Sequence, residues 1–307
     1  MDARGPTYTT GYTTSSPTLL ICLVPAQAKN SIPPWNPAFC PTFPPFPAML
    51  LWRLRLFHKG SMSTTNLLAA QSDKPKLLAP VWHTIGLVFF VLALSYLQSA
   101  HRGHLQNANT NRLAVYSFSI CFELVLLAYV WFLGIRHTGI RFKDVIGGRW
   151  DTARDVWRDV GVAFVFWIVV VVTLVAVSQV LGQNPDMIKV LRAIAPRGVL
   201  ELAIWILLSI SAGFCEEFVF RGYLQKQLLA LTGNVPAAIA GQAIIFGAAH
   251  AYQGVRGVLT ITVYGALFGL LANVRNSLRP GMIQHVMQDS FSGILLSLAK
   301  HFPKLPT

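Results

Sequence analysis

From residue 81 onward, the chain alternates long apolar runs with short polar connections. An α-helix needs about 20 residues to cross the hydrocarbon core of a bilayer. The first three runs are uniformly hydrophobic, whereas the last four are shorter and richer in glycine and other small residues. The pattern therefore predicts an all-α, polytopic transmembrane bundle of about seven spans, at 81–99, 113–134, 160–181, 199–220, 235–252, 257–274 and 281–299.

Residues 1–80 follow a different pattern. The stretch MDARGPTYTTGYTTSSP is rich in threonine, serine and glycine, and SIPPWNPAFCPTFPPFP is rich in proline. Neither stretch has the period of a helix or a strand, so we expect a low-complexity, disordered N-terminal tail over 1–80. Met62 is an alternative start of translation, because the residues after it resemble a cytoplasmic tail before a first span. The membrane helical domain is then predicted at 81–303.

The composition agrees with a membrane protein. Hydrophobic residues make up 53% of the chain and charged residues 12%, whereas soluble domains carry about 25% charged residues. The formal net charge is +13, but the basic residues are scattered through short loops and form no stripe of the kind that binds nucleic acid. The excess of lysine and arginine in alternate loops predicts a cytoplasmic N-terminus.

The segment GFCEEFVFRGYLQ, residues 213–225, places charges inside an apolar helix. Such charges are costly at membrane depth and usually face the bundle interior. Glu217 and Arg221 have the i,i+4 spacing of a helical ion pair. Glu216 projects about 100° away around the helix and has no local partner, so we expect it to be the chemically active acid. Cys215 has no activating base on its own face, and we interpret it as a packing residue.

Polar side chains also occur in later spans. His250 follows Phe246 by one turn, and His285 and Asp289 share a helix face at i,i+4 spacing. Glutamate, histidine and aspartate in this combination leave two chemistries open. Glu216, His250 and His285 could bind a divalent metal, most plausibly zinc, which lowers the pKa of a bound water. Alternatively, Glu216 and His250 activate a water directly while His285 stabilises an oxyanion.

Two other features of the spans have structural interpretations. Glu123 in the second span is interpreted as a buried hydrogen-bonding group that contacts a neighbouring helix. Gly265 and Gly269 have G-x-x-x-G spacing, which lets two membrane helices approach closely.

Three motifs occur in order along the last four hydrophobic segments: EExxxR (Glu216, Glu217 and Arg221), FxxxH (Phe246 and His250) and HxxxD (His285 and Asp289). Together they resemble the CPBP intramembrane proteases, a family that includes the CAAX prenyl endopeptidases and many prokaryotic relatives. The resemblance covers about 199–293 and is closest to the prokaryotic branch. It implies a catalytic core in this region and residence in a prokaryotic plasma (inner) membrane.

The resemblance also implies an activity and its residues. The chain would be an endopeptidase that cleaves a membrane-anchored protein or peptide, without an organic cofactor. Glu216 matches the water-activating glutamate and His250 its partner, whereas His285 and Asp289 match the pair that stabilises the oxyanion. Glu217, Arg221 and Phe246 are expected to be structural. Asp289 departs from the asparagine of the eukaryotic enzymes, and an ionised aspartate cannot donate a hydrogen bond. Asp289 must therefore be protonated, orient His285 or bind a metal; the orienting role is favoured, followed by the metal role.

Two other classes of function remain open at this stage. Some relatives are assigned as non-catalytic immunity or scaffold proteins of the same fold. An ion-coupled transporter would use the same ionisable residues as a relay, although the sequence has no clear broken helices or inverted repeat.

Overall fold

The computed structural model describes residues 76–101 and 111–299. Within these ranges the structure is helical, and its one isolated β-bridge joins Gly147 to Ser277. The interpretations of residues 1–75 as a disordered tail and of Met62 as a start of translation lie outside the described residues. Leu78 and Ala79, at the end of the predicted tail, are buried.

Ten α-helices cover most of the described part of the chain. They are α1 Val81–Ala100, α2 Arg112–Ala128, α3 Phe142–Ile146, α4 Ala153–Leu181, α5 Pro185–Ile194, α6 Val199–Glu216, α7 Gln225–Thr232, α8 Val235–Ala248, α9 Gly254–Arg275 and α10 Arg279–Ala299. Tyr129–Ile135 and Glu217–Leu224 have π-helical geometry and extend α2 and α6. Short 3₁₀ turns at Arg136–Thr138 and Ala251–Gln253 complete the order.

Five helical segments of the described residues are long and apolar enough to cross a membrane: Val81–Ala100, Arg112–Thr138, Ala153–Leu181, Val199–Thr232 and Ala251–Arg275. They correspond to the first four predicted spans and the sixth. The predicted fifth span is the shorter apolar helix α8, and the predicted seventh span is α10. The predicted all-α membrane bundle is confirmed, with two of its seven helices below the length or hydropathy of a full span.

The sequence did not anticipate α5, which lies in a segment interpreted as a loop. Its start is encoded locally, because the side chain of Asn184 accepts a hydrogen bond from Met187 N and Pro185 occupies the first turn. The helix has only ten residues and buries Val190 and Ala193. One short buried stripe is a weak signal in a sequence dominated by long apolar runs.

The helices that carry the polar motifs pack directly against one another. Helix α6 packs against α2 and α10, and α8 packs against α9. Gly265 and Gly269 make the second of these contacts close, since a Cβ atom on Gly265 would lie 3.1 Å from Phe246 Cδ1. The carbonyl oxygen of Gly265 accepts hydrogen bonds from two side chains of neighbouring helices, Arg221 Nη2 and Gln242 Nε2. The expected role of the G-x-x-x-G pair in helix packing is confirmed.

Gln227 fixes the chain where it enters α1. Its Oε1 atom accepts hydrogen bonds from the backbone N–H groups of Leu78 and Ala79, at 2.5 and 3.3 Å. Its Nε2 atom donates to Ala79 O and Thr84 Oγ1, at 2.9 and 2.8 Å. This fully buried amide joins α7 to residues that lie nearly 150 positions earlier in the chain.

Candidate active site

The two-glutamate motif lies where α6 changes to π-helical geometry. The α-helix ends at Glu216, and the π-helical segment Glu217–Leu224 follows. π-Helical turns are rare overall, but those that occur within α-helices are often found at functional sites. Every residue of this segment is buried, so its side chains are held by packing on all sides.

Glu217 and Arg221 form the ion pair that their spacing predicts. Arg221 Nη1 donates to Glu217 Oε1 at 2.8 Å, and the two side chains are only 1% and 0% exposed. The guanidinium also lies over the rings of Phe246 and Phe268, at 4.3 and 5.1 Å from their centroids. Such cation–π contacts are strongest when the cation is desolvated. The pair is therefore a closed structural unit, and Phe246 belongs to it.

His285 on α10 lies among three carboxylates. Its Nδ1 atom is 3.3 Å from Glu217 Oε1, and its Nε2 atom is 3.7 Å from both Glu216 Oε2 and Asp289 Oδ2. Nδ1 donates to Glu217, because a carboxylate oxygen can only accept. The sequence interpretation gave the orienting role to Asp289. In the structure Glu217 has the closer contact with the imidazole, so this glutamate links the ion pair to the rest of the site.

His250 lies just beyond the end of α8, in the turn that precedes the 3₁₀ segment. Its Nδ1 atom donates to Phe246 O at 2.8 Å, so in the neutral ring Nε2 is the acceptor. His250 interacts electrostatically with Asp289. No carboxylate oxygen of the described residues lies within ion-pairing distance of this imidazole, which leaves a gap between it and the acids.

Exposure separates the two members of the glutamate pair. The side chains of Glu216 and Asp289 are 21% and 37% exposed, whereas Glu217, Arg221 and His285 are almost fully enclosed. Glu216 and Asp289 therefore lie on the more exposed, open side of the cluster. The assignment of Glu216 as the reactive acid and of Glu217 as structural stays a prediction.

Glu123 on α2 also lies beside this cluster. Its side chain is buried and lies near Ser211 and Glu216 on α6. The contact with a neighbouring helix agrees with the interpretation of its sequence position. Its Oε2 atom has no hydrogen-bond partner among the described residues, and the sequence did not indicate that it lies next to Glu216. Cys215, next to Glu216 on α6, is also buried.

The described side chains do not fit a metal centre in the arrangement that they adopt. No group of three or more His, Cys, Asp or Glu residues is spaced to hold a metal ion in the described ranges. The contact of His250 Nδ1 with Phe246 O leaves Nε2 free to act as a ligand, but the gap between this imidazole and the acids keeps it apart from Glu216 and His285. The zinc hypothesis for Glu216, His250 and His285 therefore gains no geometric support.

The comparison with known families agrees with the position of this cluster. Residues 198–291 match the family model described as type II CAAX prenyl endopeptidase Rce1-like. The resemblance indicated by the three motifs is thereby confirmed for about a third of the chain. No curated protein and no solved structure matches the chain. The match supports, in general terms, a protease that is an integral membrane protein and acts on a membrane-associated peptide.

Proposed function

We propose that this chain is a membrane-embedded endopeptidase in which Glu216 activates the water that attacks the peptide bond. The observation that carries this proposal is the convergence of Glu216 and Asp289 on His285 at the open side of an otherwise closed cluster. A partly exposed acid next to an imidazole, within a membrane bundle, has the groups needed for general acid–base hydrolysis.

The proposed first step is attack by water on the substrate carbonyl carbon. Glu216 takes a proton from the water, and His250 Nε2 accepts a hydrogen bond from the same water. The oxygen of the water forms the bond to the carbonyl carbon. The carbonyl oxygen becomes an oxyanion, which His285 Nε2 stabilises by donating a hydrogen bond. Because Nδ1 of the same ring donates to Glu217, both nitrogens must carry protons at this stage.

In the proposed second step the tetrahedral intermediate collapses. The carbon–nitrogen bond breaks, and the proton held by Glu216 passes to the leaving amine, which regenerates the carboxylate. Asp289 holds the Nε2 side of His285 by charge attraction, and Glu217 with Arg221 holds the other side. No step requires a group other than the chain's own residues and one water.

The test uses the purified full chain in lipid nanodiscs, with two fluorogenic peptides as probes. One carries a farnesylated CAAX terminus, the substrate type that the family description names, and the other has the same sequence without the lipid. Glu216→Gln removes the base while preserving the shape of the side chain, and we expect cleavage to fall by about 10²- to 10⁴-fold. Glu201→Gln is the control, since Glu201 lies on the same helix but pairs with Arg112.

Cleavage by the Glu216→Gln variant at the wild-type rate would refute the proposed role of this acid. A scaffold or immunity protein would cleave neither peptide in the wild-type or the variant form. An ion-coupled transporter would also cleave neither peptide, but its transport would be lost in Glu216→Gln. A chelator added to the wild-type protein, together with metal analysis, tests the zinc hypothesis. We expect full activity without stoichiometric metal.

A further inference from the structure

Tyr264 on α9 faces the candidate site from a helix that carries none of the three motifs. Its ring packs edge-on against His285, with 5.7 Å between centroids, and against Phe268 at 4.5 Å. The phenol lies near the charged groups of Asp289, Glu217, Arg221 and Glu216. The side chain is 8% exposed. Tyr264 is therefore a buried neighbour of the polar groups on α6 and α10.

The hydroxyl of Tyr264 has no hydrogen-bond partner among the described residues, and it is fully buried. A buried hydroxyl without a partner costs free energy, and native proteins rarely leave one in that state. Two other buried tyrosines show the usual arrangement. Tyr223 Oη lies 2.8 Å from both His83 Nδ1 and Thr84 Oγ1, and Tyr116 Oη donates to Ile194 O.

The proposed hydrolysis needs hydrogen-bond donors at the oxyanion, and the motif residues offer few. Glu216 and an ionised Asp289 can only accept, and His250 uses its Nδ1 proton on the carbonyl of Phe246. Arg221 directs its Nη atoms at Glu217 and at Gly265 O. Two donors remain among these residues, Nε2 of His285 and Nε of Arg221. The Arg221 side chain is fully enclosed beside Glu217, so His285 is the donor nearer the open side, whereas oxyanion sites usually combine donors from more than one group.

We propose that Tyr264 is a further catalytic residue, whose hydroxyl donates the second hydrogen bond to the oxyanion beside His285. It supplies the donor that Asp289, in place of an asparagine amide, does not. In the protein without substrate, the hydroxyl has no acceptor. When substrate is bound, its carbonyl oxygen becomes the acceptor as negative charge develops on it. This inference rests on the proposed function.

The test is Tyr264→Phe in the full-length chain, because it removes only the hydroxyl and keeps both ring contacts. We expect kcat for the fluorogenic peptides to fall by about 10²-fold, as when one oxyanion donor is removed. KM stays unchanged, because the lost interaction forms only in the transition state. Tyr223→Phe, which removes a hydroxyl that is bonded away from the site, keeps the wild-type kcat. A wild-type kcat for Tyr264→Phe would overturn the inference.

A second measurement does not depend on turnover. The unfolding midpoint of Tyr264→Phe should equal or exceed that of the wild type, because no hydrogen bond is lost, whereas Tyr223→Phe should lower it. A decrease in Tyr264→Phe as large as that in Tyr223→Phe would show a bonded hydroxyl and would overturn the inference. If the wild-type chain cleaves neither peptide, the comparison of unfolding midpoints alone decides whether the Tyr264 hydroxyl lacks a hydrogen-bond partner.

Glu216→Gln separates the two proposals. If this variant is inactive and Tyr264→Phe is fully active, the inference about Tyr264 is wrong and the proposed function survives. If Glu216→Gln cleaves normally, the proposed function fails, and the inference about Tyr264 fails with it.

Discussion

The buried ion pair of Glu217 and Arg221 should make either charge costly to remove alone, and removing both should cost less than the sum of the two single losses. The perturbation is a double-mutant cycle of Glu217→Gln, Arg221→Met and the combined variant. Both side chains are at most 1% exposed, and their contact is 2.8 Å, so solvent screening is negligible. Removing one partner of such a pair leaves an uncompensated buried charge, which costs about 3–5 kcal/mol.

The magnitude depends on what each remaining charge still contacts. After Glu217→Gln, the guanidinium keeps the carbonyl of Gly265 and the rings of Phe246 and Phe268. After Arg221→Met, the carboxylate keeps His285 Nδ1 at 3.3 Å. Each single variant should therefore lose about 3–5 kcal/mol of unfolding free energy. The combined variant should lose less than their sum by at least about 2 kcal/mol, since it buries no charge.

The assay is equilibrium unfolding of the purified chain in mixed micelles, followed by the fluorescence of its eight tryptophans. Arg141 and Asp144 supply a matched control, because they have the same 2.8 Å contact but are 68% and 43% exposed. The corresponding cycle at that surface pair should give no resolvable coupling. If the losses of Glu217→Gln and Arg221→Met simply add in the combined variant, the reasoning about a mutually compensating buried pair is refuted.

Two further predictions concern helix packing. In Gly213→Ala, the new Cβ would lie 2.6 Å from Val286 Cγ2 and 2.9 Å from Val286 N, so α6 and α10 must separate beside the site. We expect a loss of about 1–3 kcal/mol together with a marked loss of cleavage. Gly161→Ala, with open space at its Cβ, should show neither loss. Gln227→Leu leaves the backbone N–H of Leu78 without its acceptor and should cost about 3 kcal/mol or more in an unfolding assay, with the site intact. Wild-type stability in Gln227→Leu, or full activity in Gly213→Ala, would contradict these expectations.

Much of the site could be predicted from local spacing. The i,i+4 relation of Glu217 and Arg221 specifies a contact within one helix, and the observed pair follows from it. The same relation puts His285 and Asp289 on one face of α10, where His285 Nε2 lies 3.7 Å from Asp289 Oδ2. The separation of Glu216 from its neighbour follows from the angle between successive residues on a helix. These contacts need no knowledge of other helices.

Contacts between helices could not be predicted in the same way. The sequence indicated that Glu123 meets some neighbouring helix, but not that this helix carries Glu216. Tyr264 gave no signal, because a tyrosine in an apolar span is typical of packing. The contact of Glu217 with His285 depends on how closely α6 and α10 approach, which the absence of a side chain at Gly213 permits.

The sequence by itself determined the class of fold, the approximate positions of the helices and the residues that carry charge within them. Hydrophobic length and helical periodicity act within a single segment, so each can be recognised from consecutive residues. The tertiary structure alone decided which acid is enclosed and which is open, and that a phenol from α9 joins the cluster. Burial and pairing between helices depend on the packing of distant segments, and a lone polar residue in an apolar run does not specify its partner.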